Sequence, residues 1–445
     1  MGRLKNSKHT IGLARQANLY TENTTDGSFA YLVGEITVPE VTQQAFDLMA
    51  NGGSPGKYFA PAAGSRTGKI NLKVSAFGFK RAYDPTTEEC GVTAAVLHAH
   101  MLILGSLLGS AGPAAVSTDA EFLQGYGLHR CNFTGSKGAT YGSGDVMGVA
   151  SASELTVAGG NGTDYTVGQL FACGDGVADT APSVSWIKGI STDTITLADA
   201  CANTPVIGDD TWPTVVAALT AEEQIPFTLR LCGEDVSDKR ALIGCIVDKA
   251  TITFNAKEIA QIEFEISFSG ITYYGTGGTF KALSVTPQMP QALIGGKGGR
   301  VTMGVGTGAM AAITLGNMIV EITNKIAPVP SIGATTGEAE KVTIEREVVV
   351  KVDYPMSTGA TYTGGRTYWE QAFEEGAQHS LACYSGTAPG VGFAVFFPAL
   401  HQSVAPKPIE KDGLKYEQLT LRPGQYSSDS ASTGPGNSPV RFGAW

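Results

Sequence analysis

Residues 261–269 read QIEFEISFS, which puts Ile262, Phe264, Ile266 and Phe268 on one side of an extended chain and Gln261, Glu263, Glu265, Ser267 and Ser269 on the other. Side chains alternate across a strand with a period of two, so this segment buries one face and wets the other only as a β-strand. The stretch GCIVDKATITFN (244–255) precedes it, and with Asn255 and Lys257 at the turn, residues 250–270 are a predicted β-hairpin. Ile70, Leu72, Val74 and Ala76 share a face in INLKVSAFGFKRA, and VTIEREVVVKVDYP (342–355) is a further long amphipathic strand. A chain that repeats this pattern is mainly β. Its 57 glycines in 445 residues and its 16% of charged residues agree, since glycine weakens helices and permits tight turns, and low charge disfavours disorder.

Charge and cysteine usage narrow the class. The net charge of −10 argues against a protein that grips nucleic acid through its phosphates. Eleven acidic residues between Asp145 and Ile225 face one base, Lys188, and the rest of the chain is neutral. With the short strand patterns VASASELTV, SVSWIKGI and TDTITLADA, residues 121–225 are expected to be an inserted small all-β domain, solvated on most sides. The seven cysteines are widely spaced without a CxxC pair, which fits neither a disulfide framework nor a zinc knuckle. The N-terminal residues lack the apolar core of a signal peptide, so synthesis in a cytoplasm is expected. The uncharged stretch from Thr93 to Leu108 is short for a bilayer and holds His98, His100 and Gly105, so it reads as a buried amphipathic helix at about 88–109, and no membrane insertion is expected.

The order of elements divides the chain as follows. Residues 1–28 read as a polar, basic arm, 29–120 with 226–275 as a first domain, 276–305 as a Gly-rich linker, 306–425 as a second domain, and 426–445 as a flexible tail. The second domain repeats the first architecturally: a long strand, a helix (TYWEQAFEEGAQ), then GFAVFFPAL and LKYEQLTLRP as closing strands.

Tests for chemistry come out negative. Gly304, Gly306 and Ala309 in GVGTGA fit a loose dinucleotide fingerprint but lie in no βαβ unit, and GSRTGK (64–69) is one residue short of a phosphate loop. His98 and His100 point to different faces of a helix, and His9, His129, His379 and His401 are scattered with no nucleophile motif nearby. No catalytic activity, metal or cofactor is expected.

The stretch RALIGCIVDKATITFNAKEIAQIEFEISFSG resembles the closing hairpin of the tail tube proteins of long-tailed bacteriophages. GNMIVEITNKIAPVPSIG, EREVVVKVDYP, the helix before SLACYSG, and GFAVFFPAL before LKYEQLTL follow the family's order, with Asn317, Asn324, Arg346 and Pro398 at its recurring Asn, Arg and Pro places. The resemblance implies two tandem tail-tube β-sandwich domains, each with an outer helix, the acidic domain being a decoration outside the tube.

The resemblance further implies a structural virion protein. Three chains would form a pseudo-sixfold ring, rings would stack into a tube, and double-stranded DNA would pass through during ejection. Tape measure and tail-end proteins would be its partners. About 24 strands spaced ~4.8 Å and tilted ~40° make a backbone barrel about 48 Å across. A channel that must not retain DNA favours carboxylates over lysines, which makes Glu263, Glu265, Glu345 and Glu347 the lumen-facing candidates. Ile262, Phe264, Val348 and Val350 would pack beneath the helices. Two other readings of the same residues are a β-rich surface or carbohydrate-binding protein and the tube of a contractile injection system.

Overall fold

The computed structural model describes residues 10–24, 29–32, 34–37, 39–46, 62–76, 82–83, 90–91, 99–109, 128–131, 146–174, 183–212, 214–219, 223–232, 239–255, 258–274, 299–305, 309–331, 338–356, 365–386, 392–424 and 434–445. Three stacked layers of antiparallel sheet account for most of them, with two α-helices, α1 (Ala99–Leu108) and α2 (Gly365–Glu374).

The first layer holds the alternating strands. Its order is Glu35–Ile36 with Glu40–Phe46 in one row, then Ala62–Ser75, Gln261–Phe268, Lys239–Asn255, Asn317–Pro330, Glu338–Pro355, Leu414–Pro423 and Lys407–Lys411. The hairpin expected at 250–270 is present, with Thr253 opposite Gln261 and Val247 opposite Ile266. Ile262, Phe264, Ile266 and Phe268 are fully buried, while Gln261, Glu263 and Glu265 are exposed. Val350 is fully buried and Val348 nearly so.

The second layer carries Leu128–Cys131, Thr214–Ala218, Arg441–Ala444, Phe393–Gln402, Gln378–Ser385, Arg300–Val305 and Ala311–Ile313, in that order. Beside them Ala30–Leu32, Thr10–Arg15, Phe227–Cys232, the first residues of Lys239–Asn255 and Gly270–Tyr274 form a further run of paired strands. Two strands pass between the two pairing environments. Lys239–Asn255 turns at Gly244, whose φ of +64° is a left-handed conformation that a side chain resists. Phe393–Gln402 pairs with Gln378–Ser385 across a register shift that leaves Pro398 in a bulge, and its last residues also reach Leu414–Pro423.

Helix α1 lies within the core. Met101, Leu102, Ile103, Leu104, Leu107 and Leu108 are all buried, and so is His100, so the helix is apolar all round and not amphipathic. The helix expected from about residue 88 is shorter than that, because Cys90–Gly91 pairs with Ala82–Tyr83 instead. Ile262, Phe264, Val348 and Val350 belong to the same apolar cluster as α1 and as Trp369 of α2. That cluster draws on both sequence halves, so the halves share one core.

Four expected boundaries are corrected. The arm at 1–28 contains a strand, Thr10–Arg15, with Ile11 and Leu13 fully buried. The linker at 276–305 ends in the strand Arg300–Val305, which includes Gly304. The tail at 426–445 ends in Arg441–Ala444, held between Thr214–Ala218 and Phe393–Gln402 with Trp445 buried. The insertion is narrower than 121–225: its own six-stranded sheet runs from Val146 to Trp212, while the strands flanking it belong to the second layer. In each case a few apolar residues in a polar or Gly-rich context found partners far away in sequence. Residues 1–9, 276–298 and 425–433, His9, His98 and Lys257 lie outside the described residues.

Phe264→Ala removes a fully buried ring and is expected to cost about 3–5 kcal/mol. Glu263→Ala, one residue away on the exposed face, should stay within about 0.5 kcal/mol. Urea denaturation midpoints of the two variants check the contrast.

Candidate functional site

The outward face of the first layer is a regular polar surface that runs across its central rows. Because side chains alternate, it collects every second residue of each central row, odd-numbered from Ala62–Ser75 to Glu338–Pro355 and even-numbered in Leu414–Pro423, and the candidates Glu263, Glu265, Glu345 and Glu347 all lie exposed on it. The same alternation brings Lys69, Lys73, Lys249, Lys325, Lys351 and Arg422 to that face. The carboxylates therefore do not form an acidic lining. Lys73 Nζ is 3.9 Å from Glu263, Arg422 is 2.6 Å from Glu347, and Glu321 receives both Lys351 at 2.6 Å and Lys249 at 3.9 Å. Each such pair is partly exposed and worth about 1 kcal/mol or less. What they set is the net charge of the face, which is close to zero. Glu321 is the acceptor the alternation argument missed, since its row, MIVEIT, mixes Ile319 with Glu321 on the wet side.

Gly68 shows why GSRTGK reads as it does. It lies inside the Ala62–Ser75 strand, where a Cβ would stand 1.9 Å from the Glu40 carbonyl oxygen. The glycine serves close strand packing, and no phosphate loop forms there.

Two buried polar groups tie the layers together. Arg346 donates from Nε to Asn324 Oδ1 at 2.7 Å and from Nη2 to the Leu107 carbonyl at 2.9 Å, at the end of α1, where helix carbonyls lack partners. Asn324 in turn donates to the Val247 carbonyl at 3.2 Å. Asn324 and Arg346 thus connect the two sequence halves.

The second node anchors the insertion. Asp199, fully buried at its side chain, accepts from Arg300 at 3.0 Å, from Tyr384 Oη at 2.6 Å, from Thr302 Oγ1 at 3.1 Å and from Ser185 Oγ. Arg300 also donates to the carbonyls of Val184 and Ala200 and stacks over the Tyr384 ring. Burial and the Asp199 carboxylate hold the Tyr384 hydroxyl far above its ordinary pKa, so it stays a donor. Around this node Trp186 stacks on Phe396 at 5.6 Å, and Leu170 and Val184 meet Val216 and Ala394. The insertion is therefore docked on the second layer through one apolar face built around this buried polar node, while much of the rest of its surface is exposed. Its acids also serve its own backbone: half-buried Asp193 accepts from the amides of Gly160 and Gly162, and buried Asp209 accepts from Val206.

Among the described residues, the remaining sequence candidates do not converge. His100 and His379 are buried in different environments, His401 is exposed, and no group of three His, Cys, Asp or Glu side chains placed to hold a metal occurs among the described residues. Cys173, Cys201, Cys245 and Cys383 are buried free thiols, and Cys232 is buried as well. No helix among the described residues is long and apolar enough to cross a membrane. No family model matches this chain, and no curated protein is significantly similar to it.

Arg300→Ala would leave Asp199 buried and uncompensated, at an expected cost of about 3–5 kcal/mol, and Asp199→Asn added to it should recover part of that loss. Chemical denaturation of the single and double variants measures both. His379 gives a pH signature. It is buried against Trp369 and Tyr368, and desolvation lowers its pKa to about 4 from an ordinary 6.5. The unfolded chain binds the extra proton between those values, so the stabilisation is complete above pH 6.5 and is lost as pH falls towards 4, by about 2–3 kcal/mol. His379→Phe should flatten that part of the stability–pH curve relative to the parent chain.

Proposed function

We propose that this protein is a structural virion protein whose copies form stacked rings, a tail tube with a channel for double-stranded DNA. The observation that carries the reading is the first layer itself. Its eight rows fall into two sets of four with the same connections, joined edge to edge inside the chain where Lys249–Asn255 meets Asn317–Thr323. A chain that already joins two such sheets side by side is built to continue the sheet into another copy. Three copies supply about 24 rows, the number whose closed barrel is about 48 Å across.

The electrostatics fit a conduit in a different way from an acidic lining. Every phosphate contact by Lys or Arg releases counterions and favours retention. On this face Lys73, Lys249, Lys351 and Arg422 already stand beside carboxylates, so phosphate must compete with Glu263, Glu321 and Glu347. The insertion packs on the far side of the second layer, with Val215 and Ala217 pointing into the main core and Val216 and Ala218 towards the insertion. In a ring closed around the charged face, the insertion is external. Trp186, Trp369 and Trp445 are buried, so they provide no platform for the carbohydrate-binding alternative.

In this reading tape measure and tail-end proteins are the partners, the chain needs no cofactor, and the virion is its place. Negative-stain imaging of the concentrated chain, with and without seeds from tail-end material, is expected to show hollow rods with threefold outer projections. Compact monomers in both conditions would end the tube reading. In assembled tubes, Glu321→Gln frees Lys249 and Lys351, and the variant should hold duplex DNA more tightly than the parent at low salt, with the difference fading at high salt.

A further inference from the structure

We propose that neighbouring copies join by antiparallel pairing of the Lys407–Lys411 edge of one chain with the 35–42 edge of the next, Lys407 opposite Glu40 and Lys411 opposite Glu35, six residues facing five as they do where Glu35 and Glu40 face Lys73 and Lys69. This rests on the tube reading and names its seam.

The internal repeat supplies the register. In the first set of rows Ala62–Ser75 ends with Ser75 opposite Gln261, and in the second Glu338–Pro355 ends with Pro355 opposite Tyr416. That alignment matches 261–268 with 416–423, and both strands end at the matched residue. Thr253 stands opposite Gln261 and Ile409 opposite Tyr416, which matches Asn255 with Lys411, again the last residue of each strand. On the other side of the sets, Lys73 faces Glu35 as Asp353 faces Asn317, and Lys69 faces Glu40 as Val349 faces Glu321. These three strand ends coincide, as do the starts at Glu35 and Asn317, although the residues themselves differ.

Within the chain the two sets meet with Thr251 opposite Glu321 and Asn255 opposite Asn317. Carried to the outer edges, Thr251 becomes Lys407, Glu321 becomes Glu40, Asn255 becomes Lys411 and Asn317 becomes Glu35. The inner seam thus has no direct ion pair across it at these positions, whereas the outer one places a lysine against a glutamate at both. All four side chains are exposed, and neither edge has a second strand partner among the described residues. Lys411 also donates to Asp353 of its own chain, which stations its amino group at the end of the row.

The chemistry of the basic edge favours a specific occupant. It is five residues long and carries Pro408 between lysines, features that discourage indiscriminate strand addition. A partner edge that brings carboxylates to both lysine positions overcomes that discouragement, and the 35–42 edge of a second copy does so.

The test joins residues across the seam. In assembled material, the double variant E40C/K407C should form disulfides between chains on mild oxidation, because facing residues of an antiparallel pair lie within disulfide reach. The same variant kept dilute and unassembled should not, and the parent chain provides the control for its own thiols. K407E should raise the concentration needed for assembly about tenfold, and K407E/E40K should restore it. If rings form without cross-links and the reversed pair fails to rescue, the seam is wrong while the tube reading stands. If the parent chain assembles under no condition, seeded or not, the tube reading fails and the seam with it.

Discussion

The central strands of the second layer, Thr214–Ala218, Arg441–Ala444, Phe393–Gln402 and Gln378–Ser385, are buried on both faces, and the other layers depend on them. In Phe393–Gln402 the side chains of Val395 and Phe397 enter the main core while Ala394 and Phe396 meet the insertion, and Leu381 and Cys383 against Ala382 and Tyr384 repeat the division one strand away. A sheet covered on both sides has no wet face, so its strands are apolar in continuous runs. Its polar groups must be satisfied internally. Asp199, Arg300, Tyr384, Thr302 and Ser185 form such a set, and removing the Asp199 carboxylate would take a buried acceptor from Tyr384 and Thr302 together.

From that layer outward, the structure follows from which side of each sheet meets water. The first layer meets the core on one face and solvent on the other, and its solvent face is balanced by ion pairs between rows. Lysines and glutamates alternate between rows because Lys73 and Glu263, or Glu321 and Lys351, come from strands that are close in space and distant in sequence. The balance is therefore a property of the sheet order. The position of the insertion, on the opposite side of the second layer from the charged face, is likewise a property of the stack.

The two halves are related more closely in geometry than in residues. Ser75 and Pro355, Phe268 and Pro423, and Asn255 and Lys411 end corresponding strands, yet no sequence identity marks them. Arg346 shows how the halves are fastened: its guanidinium reaches both Asn324 and the carbonyl of Leu107, closing the end of a helix contributed by the other half. Such a contact constrains the angle between the halves, which a continuous sheet alone would leave to its twist.

Strict alternation made the first layer legible from the sequence alone: the hairpin of Lys239–Asn255 with Gln261–Phe268, the burial of Ile262 and Phe264, and the exposure of Glu263 and Glu265 all follow from a period of two. Strands with no wet face were harder to read. Thr10–Arg15, Arg300–Val305 and Arg441–Ala444 looked like arm, linker and tail, because a short strand buried between distant partners carries no periodic signal of its own. The acidic composition of the insertion was legible, but whether those carboxylates faced water was not, since Asp193, Asp199 and Asp209 are held by backbone amides and by Arg300. Local alternation decided which residues of the first layer could be buried. Only the tertiary structure decided which strands lie side by side, and with them the charge of the open face, because neighbours in a sheet are fixed by pairing between segments hundreds of residues apart.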